Sequence, residues 1–348
     1  MKSYSHLWEK LIDPETIKLA IRKSARRKKD RPRVYYIYNH QDDFVEYYTL
    51  YAASYIARQR PAKIILDGHT KKERKITVPT FDEQVLMNMI IIVLEPIITK
   101  ELYPHVHGSI PRRGCHKAKK QIEKWLKKDI KGTKYFYKCD IRKFFDSINH
   151  QFLKIFLEKK IKDWKFLSLL FQIIDCTDVG VPLGFPTSHW FAHWYIADVD
   201  YYIMDKFRPA HYIRYVDDIV IFDKSKKFLH LIHKKLNLYL LKHIIFIKKN
   251  YQICKFLSDT GRILDFMGYK FYRIKTLLRK TIMFRFVRMS KVISKRNLTI
   301  YDARRCMSML GYIKSTNTYN MYKNKIKPFV NFGDCKKYIS FYDRRKIV

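Results

Sequence analysis

Residues 211–224 read HYIRYVDDIVIFDK, two apolar, strand-like runs with a pair of adjacent carboxylates, Asp217 and Asp218, at the joint. In a continuous strand, neighbouring side chains point to opposite faces, so the pair could not serve one centre. A tight turn across Val216 to Asp218 removes that restriction. It predicts a hairpin whose tip carries at least Asp217, beside a neighbouring strand, TKYFYKCDI (133–141), that ends near Asp140.

Three carboxylates gathered in one place raise one another's pKa unless a cation neutralises them. Hard oxygen donors, with no cysteine and no obvious histidine beside them, favour Mg²⁺ over zinc. Two Mg²⁺ ions about 3.5–4 Å apart can activate a 3′-hydroxyl and stabilise the departing pyrophosphate oxygen of an in-line displacement. Asp140, Asp217 and Asp218 are therefore a candidate set of carboxylates that a divalent cation would neutralise. The other acidic pair, Asp42 and Asp43 in NHQDDFVEY, lacks apolar runs on both sides and reads as an exposed turn or cap.

The chemistry suits the charge. Against 32 acidic residues stand 71 lysines and arginines, a formal net charge of +39, which makes a polyanion the expected partner. A basic protein resting on anionic lipid is the weaker alternative, because no basic amphipathic helix or lipidation signal stands out. The longest apolar run, LMNMIIIVLEPII (86–98), is interrupted by Glu95 and Pro96 and is too short to span a bilayer. MKSYSHLWEKLIDPE lacks the apolar core of a signal peptide, so a cytoplasmic protein with no membrane partner is expected. The six cysteines form no CxxC pair and read as free thiols. Neither GxxxxGK[ST] nor GxGxxG occurs, so a nucleotide would be held without a glycine-rich phosphate loop.

Along the chain, the basic cluster IRKSARRKKDRPR (21–33) is either a solvated arm or a nucleic-acid contact. KIILD (63–67) and RKITVP (74–79) flank GHTKK and predict a hairpin. Helices are expected from about 81, over 116–132, over 151–161 with Phe152, Ile155 and Phe156 on one stripe, after the loop DVGVPLGFPTSHW (178–190), and over 226–243. FMGYKFYR (266–273) reads as a strand pair, and the chain from 276 as mostly helices. His189 and His193 lie four apart on an expected helix, where aromatic packing outweighs a zinc site lacking a third ligand. The alternation of helices and short strands points to an α+β core with helical additions.

YVDD between apolar strands, preceded by KCDIRKFFDSI (138–148), resembles the palm of a reverse transcriptase. The resemblance covers about residues 60–285. It implies a right-hand polymerase with an antiparallel-sheet palm, fingers and a short helical thumb, divided as a basic N-terminal extension (1–34), fingers and palm (35–275) and a basic thumb (276–348). It also implies two Mg²⁺ ions on Asp140, Asp217 and Asp218, and Phe145 as an aromatic gate against a 2′-hydroxyl, with Phe144 as core. Arg74, with Lys75 as runner-up, would hold the incoming triphosphate. Met267, Gly268 and Tyr269 would form the primer grip, and Lys248 or Lys249 would be a general acid or a phosphate contact.

The loop LGFPTSH (183–189) resembles that of diversity-generating retroelement enzymes, whose usual form is close to [ILV]GxxxSQ; His189 replaces the glutamine. Leu183 and Gly184 thereby join the candidate nucleotide site. A glutamine amide at 183 could hydrogen-bond near the incoming base pair and leucine cannot, so geometric checking should weaken. The resemblance implies error-prone copying of a template-repeat RNA into cDNA altered at adenines, dNTP substrates, a small basic oligomeric accessory variability protein, and a bacterial or phage-infected cytoplasm. Little chain follows the expected thumb, which leaves no room for an endonuclease or maturase domain, and no VTG motif is found. Gln84, and Ile110 in SIPRRG, stand where relatives often have arginine, and Arg112 or Arg113 could compensate. Two other readings stay open: another small bacterial reverse transcriptase, intron-like or of phage defence, and an inactive basic RNA-binding scaffold.

Overall fold

A computed structural model describes residues 3–59, 61–66, 73–256 and 262–345. The chain divides into two compact units whose segments interleave. The first comprises Met1–Gly114, Tyr137–Ile221 and Lys227–Ile253; the second comprises Cys115–Phe136, Phe222–Lys226 and Cys254–Val348.

The first unit begins with four helices, α1 (Leu7–Ile12), α2 (Pro14–Ala25), α3 (Pro32–Asn39) and α4 (Val45–Ala53), followed by the hairpin β1 (Lys63–Leu66) and β2 (Glu73–Ile76). Residues 67–72, which hold the expected turn, lie outside the described residues. Helix α5 (Phe81–Glu101) starts at a capping box: the Thr80 hydroxyl accepts from the Glu83 amide while the Glu83 carboxylate accepts from the Thr80 amide. Its run MNMIIIVL (87–94) is apolar on nearly every side, so it must be wrapped by protein. Helices α1 and α2 pack against it. The basic segment is tied to the same helix rather than left as a free arm: Arg33 pairs with Asp82 at 2.7 Å, Lys28 donates to Gln84, and Lys23 lies 3.9 Å from Glu95.

Next come β3 (Val106–His107), α6 (Cys115–Lys128), β4 (Tyr135–Asp140), α7 (His150–Lys160), α8 (Trp164–Ile174), α9 (Pro186–Tyr195), α10 (Ala197–Phe207), β5 (His211–Tyr215), β6 (Asp218–Asp223), α11 (Lys226–Leu240) and β7 (Gln252–Lys255). The main sheet has the order β3-β5-β6-β4-β7. One pairing departs from the expected antiparallel palm: β3 runs parallel to β5, which the long helical connection between them permits. Helix α9 packs on α5. On α7 the buried stripe is Leu153 and Leu157, four apart; Phe152 and Ile155 are exposed, and only Phe156 of the expected stripe turns inward, its ring 5.3 Å from Trp194.

The second unit contains α6, which buries Ala118, Ile122, Trp125 and Leu126. Its antiparallel sheet has the order β10-β9-β8, from β8 (Leu264–Phe266), β9 (Tyr269–Phe271) and β10 (Thr276–Leu278). Four helices follow: α12 (Lys280–Ile293), α13 (Ile300–Lys314), α14 (Tyr319–Lys325) and α15 (Phe332–Arg345). All six cysteines are free thiols. No helix among the described residues is long and apolar enough to cross a membrane.

Candidate active site

Strand β4 ends at Asp140 and its sheet neighbour β6 begins at Asp218, with only Val216 and Asp217 joining β5 to β6. The expected tight turn is present. It requires a left-handed residue, and Val216 supplies it at φ 56°. The amide of Ile141 donates to the Asp217 carbonyl over 3.2 Å, which fixes the turn against the end of β4.

The three acids therefore share one edge of the sheet. Burial, and then the charges of Asp140 and Asp218, push the Asp217 carboxyl up to about 7. Lys248 supplies part of the missing positive charge: its Nζ lies 2.6 Å from Asp140 Oδ1, and its amide donates to the Asp140 carbonyl over 2.9 Å. The ammonium approaches outside hydrogen-bond geometry, so the buried Oδ1 has charge compensation without a directed hydrogen bond. Among the described residues, no three or more histidine, cysteine, aspartate or glutamate side chains stand converged as metal ligands. The acids are near enough to repel, while Lys248 holds one of them. Their all-oxygen, partly buried and electron-rich donor set fits a hard divalent cation, provided Lys248 yields Asp140. Lys249 is exposed, so of the two lysines only Lys248 reaches the acids.

Phe144 is buried as core, whereas Phe145 is half-buried with its ring edge-on to His189 at 5.0 Å. Its carbonyl accepts from the Val181 amide over 2.9 Å, which seats the following loop on Phe145. The same loop meets the β1–β2 hairpin where the Leu183 carbonyl accepts from the Thr77 amide over 2.8 Å. Gly184 sits at φ 109°, and a Cβ there would lie 2.3 Å from the Thr77 carbonyl oxygen and 2.7 Å from Ile76 Cγ2. Alternation along β2 puts Arg74 on the same face as Ile76, toward this loop, and Lys75 on the opposite face.

His193 is fully buried and donates through Nε2 to the Gly108 carbonyl over 2.8 Å; His189 packs on Phe145. Among the described residues, neither belongs to a cluster of three possible metal ligands. Ile110 is buried, and Arg113 spends its guanidinium on the carbonyls of Tyr103 and Thr99, so it is not free to replace a missing arginine.

In the second unit, Met267 and Gly268 form a two-residue hairpin turn with φ of 51° and 83°, the pattern of a type I′ turn. Tyr269 is fully buried, so its side chain is core and not a contact surface.

Two contributors escape the sequence patterns. Lys28 donates to Gln84 and lines a cavity of about 320 Å³ with Lys23, Arg26, Thr77 and Gly184. Arg214, fully buried, makes a bidentate pair with the equally buried Asp200. An arginine inside the apolar run HYIRY was the available signal for the second; nothing marked Lys28 among its many basic neighbours.

Residues 63–271 match the family described as reverse transcriptase (RNA-dependent DNA polymerase). The chain belongs to this family. The group II intron-encoded protein LtrA of Lactococcus lactis subsp. cremoris is 30% identical over 150 residues, covering 40% of this chain and 24% of LtrA. Protein YkfC of Escherichia coli is 21% identical over 157 residues, covering 42% of this chain and 41% of YkfC. The chain thus spans well under half the length of these relatives. A solved telomerase of Candida tropicalis, in complex with a TWJ fragment of telomeric RNA, shares the right-hand polymerase fold with a TM-score of 0.50 at 13% identity, over 82% of this chain and 58% of that one.

Proposed function

We propose that this reverse transcriptase family member is an RNA-templated DNA polymerase whose catalytic centre is Asp140, Asp217 and Asp218. The observation that carries the proposal is the meeting of these acids at the ends of β4 and β6, where burial, and then their mutual repulsion, lifts the Asp217 carboxyl to about 7 and leaves the site in need of a cation. Mg²⁺ ions, two in number, would be held by the three carboxylates and would supply activation of a 3′-hydroxyl and stabilisation of leaving-group charge. The chain's own groups do the rest. Arg74 neutralises the triphosphate, and Phe145 crowds the sugar so that a 2′-hydroxyl is excluded. Lys248, already beside Asp140, stands where it can donate a proton or bind a phosphate. Met267 and Gly268 offer a hairpin tip to the primer, and residues 276–348 act as the thumb.

The finer part of the proposal concerns fidelity. Leu183 offers no side-chain hydrogen bond to the nascent base pair, so selection there rests on shape alone and mismatches are tolerated. That supports a diversity-generating role: copying a template-repeat RNA into adenine-mutagenised cDNA for protein diversification, with a small basic accessory protein as partner. The identity to LtrA supports a second reading, an intron-like polymerase without directed mutagenesis.

Primer extension on the natural template RNA with Mg²⁺ and dNTPs, with and without the accessory protein, followed by product sequencing, tests both. The proposal expects DNA with substitutions concentrated opposite template adenines. Faithful DNA favours the intron-like enzyme. Absence of product under every metal, template and partner condition, with RNA still bound, would leave an RNA-binding scaffold.

A further inference from the structure

The turn that presents Asp217 is strained, and the chain surrounds it with a buried polar network that the chemistry above does not use. Val216 is β-branched yet left-handed, a conformation such residues rarely adopt. Three polar groups of the turn's backbone are held: the Val216 amide donates to the His107 carbonyl over 3.0 Å, and the Asp217 carbonyl accepts from Ile141. The remaining group, the Val216 carbonyl, accepts from Arg214 Nη1 over 3.0 Å.

Arg214 is itself immobilised. Its Nε and Nη2 donate to the two carboxylate oxygens of Asp200 over 2.7 and 2.6 Å, and the Tyr212 hydroxyl donates to the same carboxylate. Nη1 also lies 3.2 Å from His193 Nδ1. Because His193 Nε2 faces the Gly108 carbonyl, Nε2 carries the proton and Nδ1 is left as an acceptor for Arg214. Gly108 closes the arrangement from the other side, since a Cβ there would come within 2.7 Å of Val216 Cγ2. A lysine could balance Asp200, but a single ammonium could not serve Asp200, His193 and Val216 in one fixed plane.

We propose that Arg214 is a positioning residue for Asp217: anchored by Asp200 and His193, it clamps the Val216 carbonyl and so holds the left-handed turn that aims the carboxylate. The proposal rests on Asp217 being a metal ligand. A network one step removed from the ligand typically governs metal affinity and rate together.

The test uses the full chain and Mn²⁺ alone as probe, with free Mn²⁺ measured by electron paramagnetic resonance and amide exchange followed over the 216–218 segment. Arg214→Lys is expected to weaken Mn²⁺ binding by about 10–100-fold and to speed exchange at the turn, while circular dichroism and affinity for a single-stranded RNA stay within about twofold of the parent. Adding Val216→Asn, which tolerates the left-handed region, should restore part of the lost affinity. If Arg214→Lys fails to fold, Gly108→Ala decides: it leaves the ion pair intact, pushes on Val216, and should show the same loss. A folded Arg214→Lys, or failing that Gly108→Ala, with parental Mn²⁺ affinity and turn exchange overturns the proposal, as does a loss that Val216→Asn does not relieve. If the parent binds no Mn²⁺, the metal-site reading fails on its own, and exchange at 216–218 still decides: faster exchange in the variant upholds the clamp, and unchanged exchange overturns it.

Discussion

The Lys248 ammonium stands 2.6 Å from Asp140 Oδ1, on the sheet edge where two further carboxylates repel. A cation tethered to the chain thus stands where, on the proposed reading, a diffusible one would bind. Lys248→Met should lower the stability of the metal-free protein by about 1 kcal/mol, the ordinary worth of a partly exposed pair. It should also tighten Mn²⁺ binding several-fold, because a competing positive charge is gone. Urea unfolding in EDTA and Mn²⁺ titration check the two signs together; weaker Mn²⁺ binding would mean that Lys248 organises the acids rather than competing for them.

Asp217 makes stability depend on pH in an unusual direction for a carboxylate. Its folded pKa of about 7 lies above the ordinary carboxylate value of 3.8, so between these limits the folded state binds the proton more tightly than the unfolded state. Stability of the metal-free protein therefore falls as pH rises from about 4 through about 7, by up to a few kcal/mol. Asp217→Asn should remove that slope, making the variant more stable than the parent at pH 8 and abolishing nucleotide incorporation while RNA binding persists. Denaturant unfolding at pH 5 and pH 8 in EDTA reads the slope directly.

The sequence carried the acids and their turn because hairpin geometry follows from local pattern: two apolar runs, one polar joint. The start of the helix near 81 was likewise legible, because the Thr80 cap is chemistry at one position, whereas the turn at Met267 and Gly268 lay inside what read as a strand pair. Non-local choices were not legible. That Leu153 and Leu157, rather than Phe152 and Ile155, face inward on α7 depends on what lies opposite, and both stripes have helical spacing. The parallel approach of β3 to β5 depends on a pairing across more than a hundred residues. Arg214 passed unread in a chain of net charge +39, because its one sequence signal, a place inside the apolar run HYIRY, does not by itself tell a buried clamp from a phosphate contact.

Phe145 is held on two sides, its ring edge-on to His189 and its carbonyl bonded to Val181, so a smaller side chain would leave a gap rather than a rearranged loop. Phe145→Ala is expected to raise ribonucleotide insertion relative to deoxynucleotide insertion by about tenfold or more, with deoxynucleotide insertion reduced less. Single-turnover insertion of CTP and dCTP against template guanine measures the ratio. An unchanged ratio would assign Phe145 to packing alone.

Two glycines that look alike in sequence should respond oppositely to alanine. Gly184 joins the 178–190 loop to the hairpin end in a left-handed conformation, and its Cβ would strike the Thr77 carbonyl oxygen at 2.3 Å. Backbone cannot step aside as a flexible side chain can, so Gly184→Ala should cost about 2–4 kcal/mol and disturb the contact between Thr77 and Leu183. Gly311 lies on the exposed face of α13, and a Cβ there meets nothing within 4 Å. Gly311→Ala should stabilise the helix by roughly 0.5–1 kcal/mol. Urea midpoints of the two variants, measured side by side, should move in opposite directions. A destabilised Gly311→Ala would mean that another part of the chain packs against this face of α13 in solution, since neither strain nor helix propensity could account for the loss.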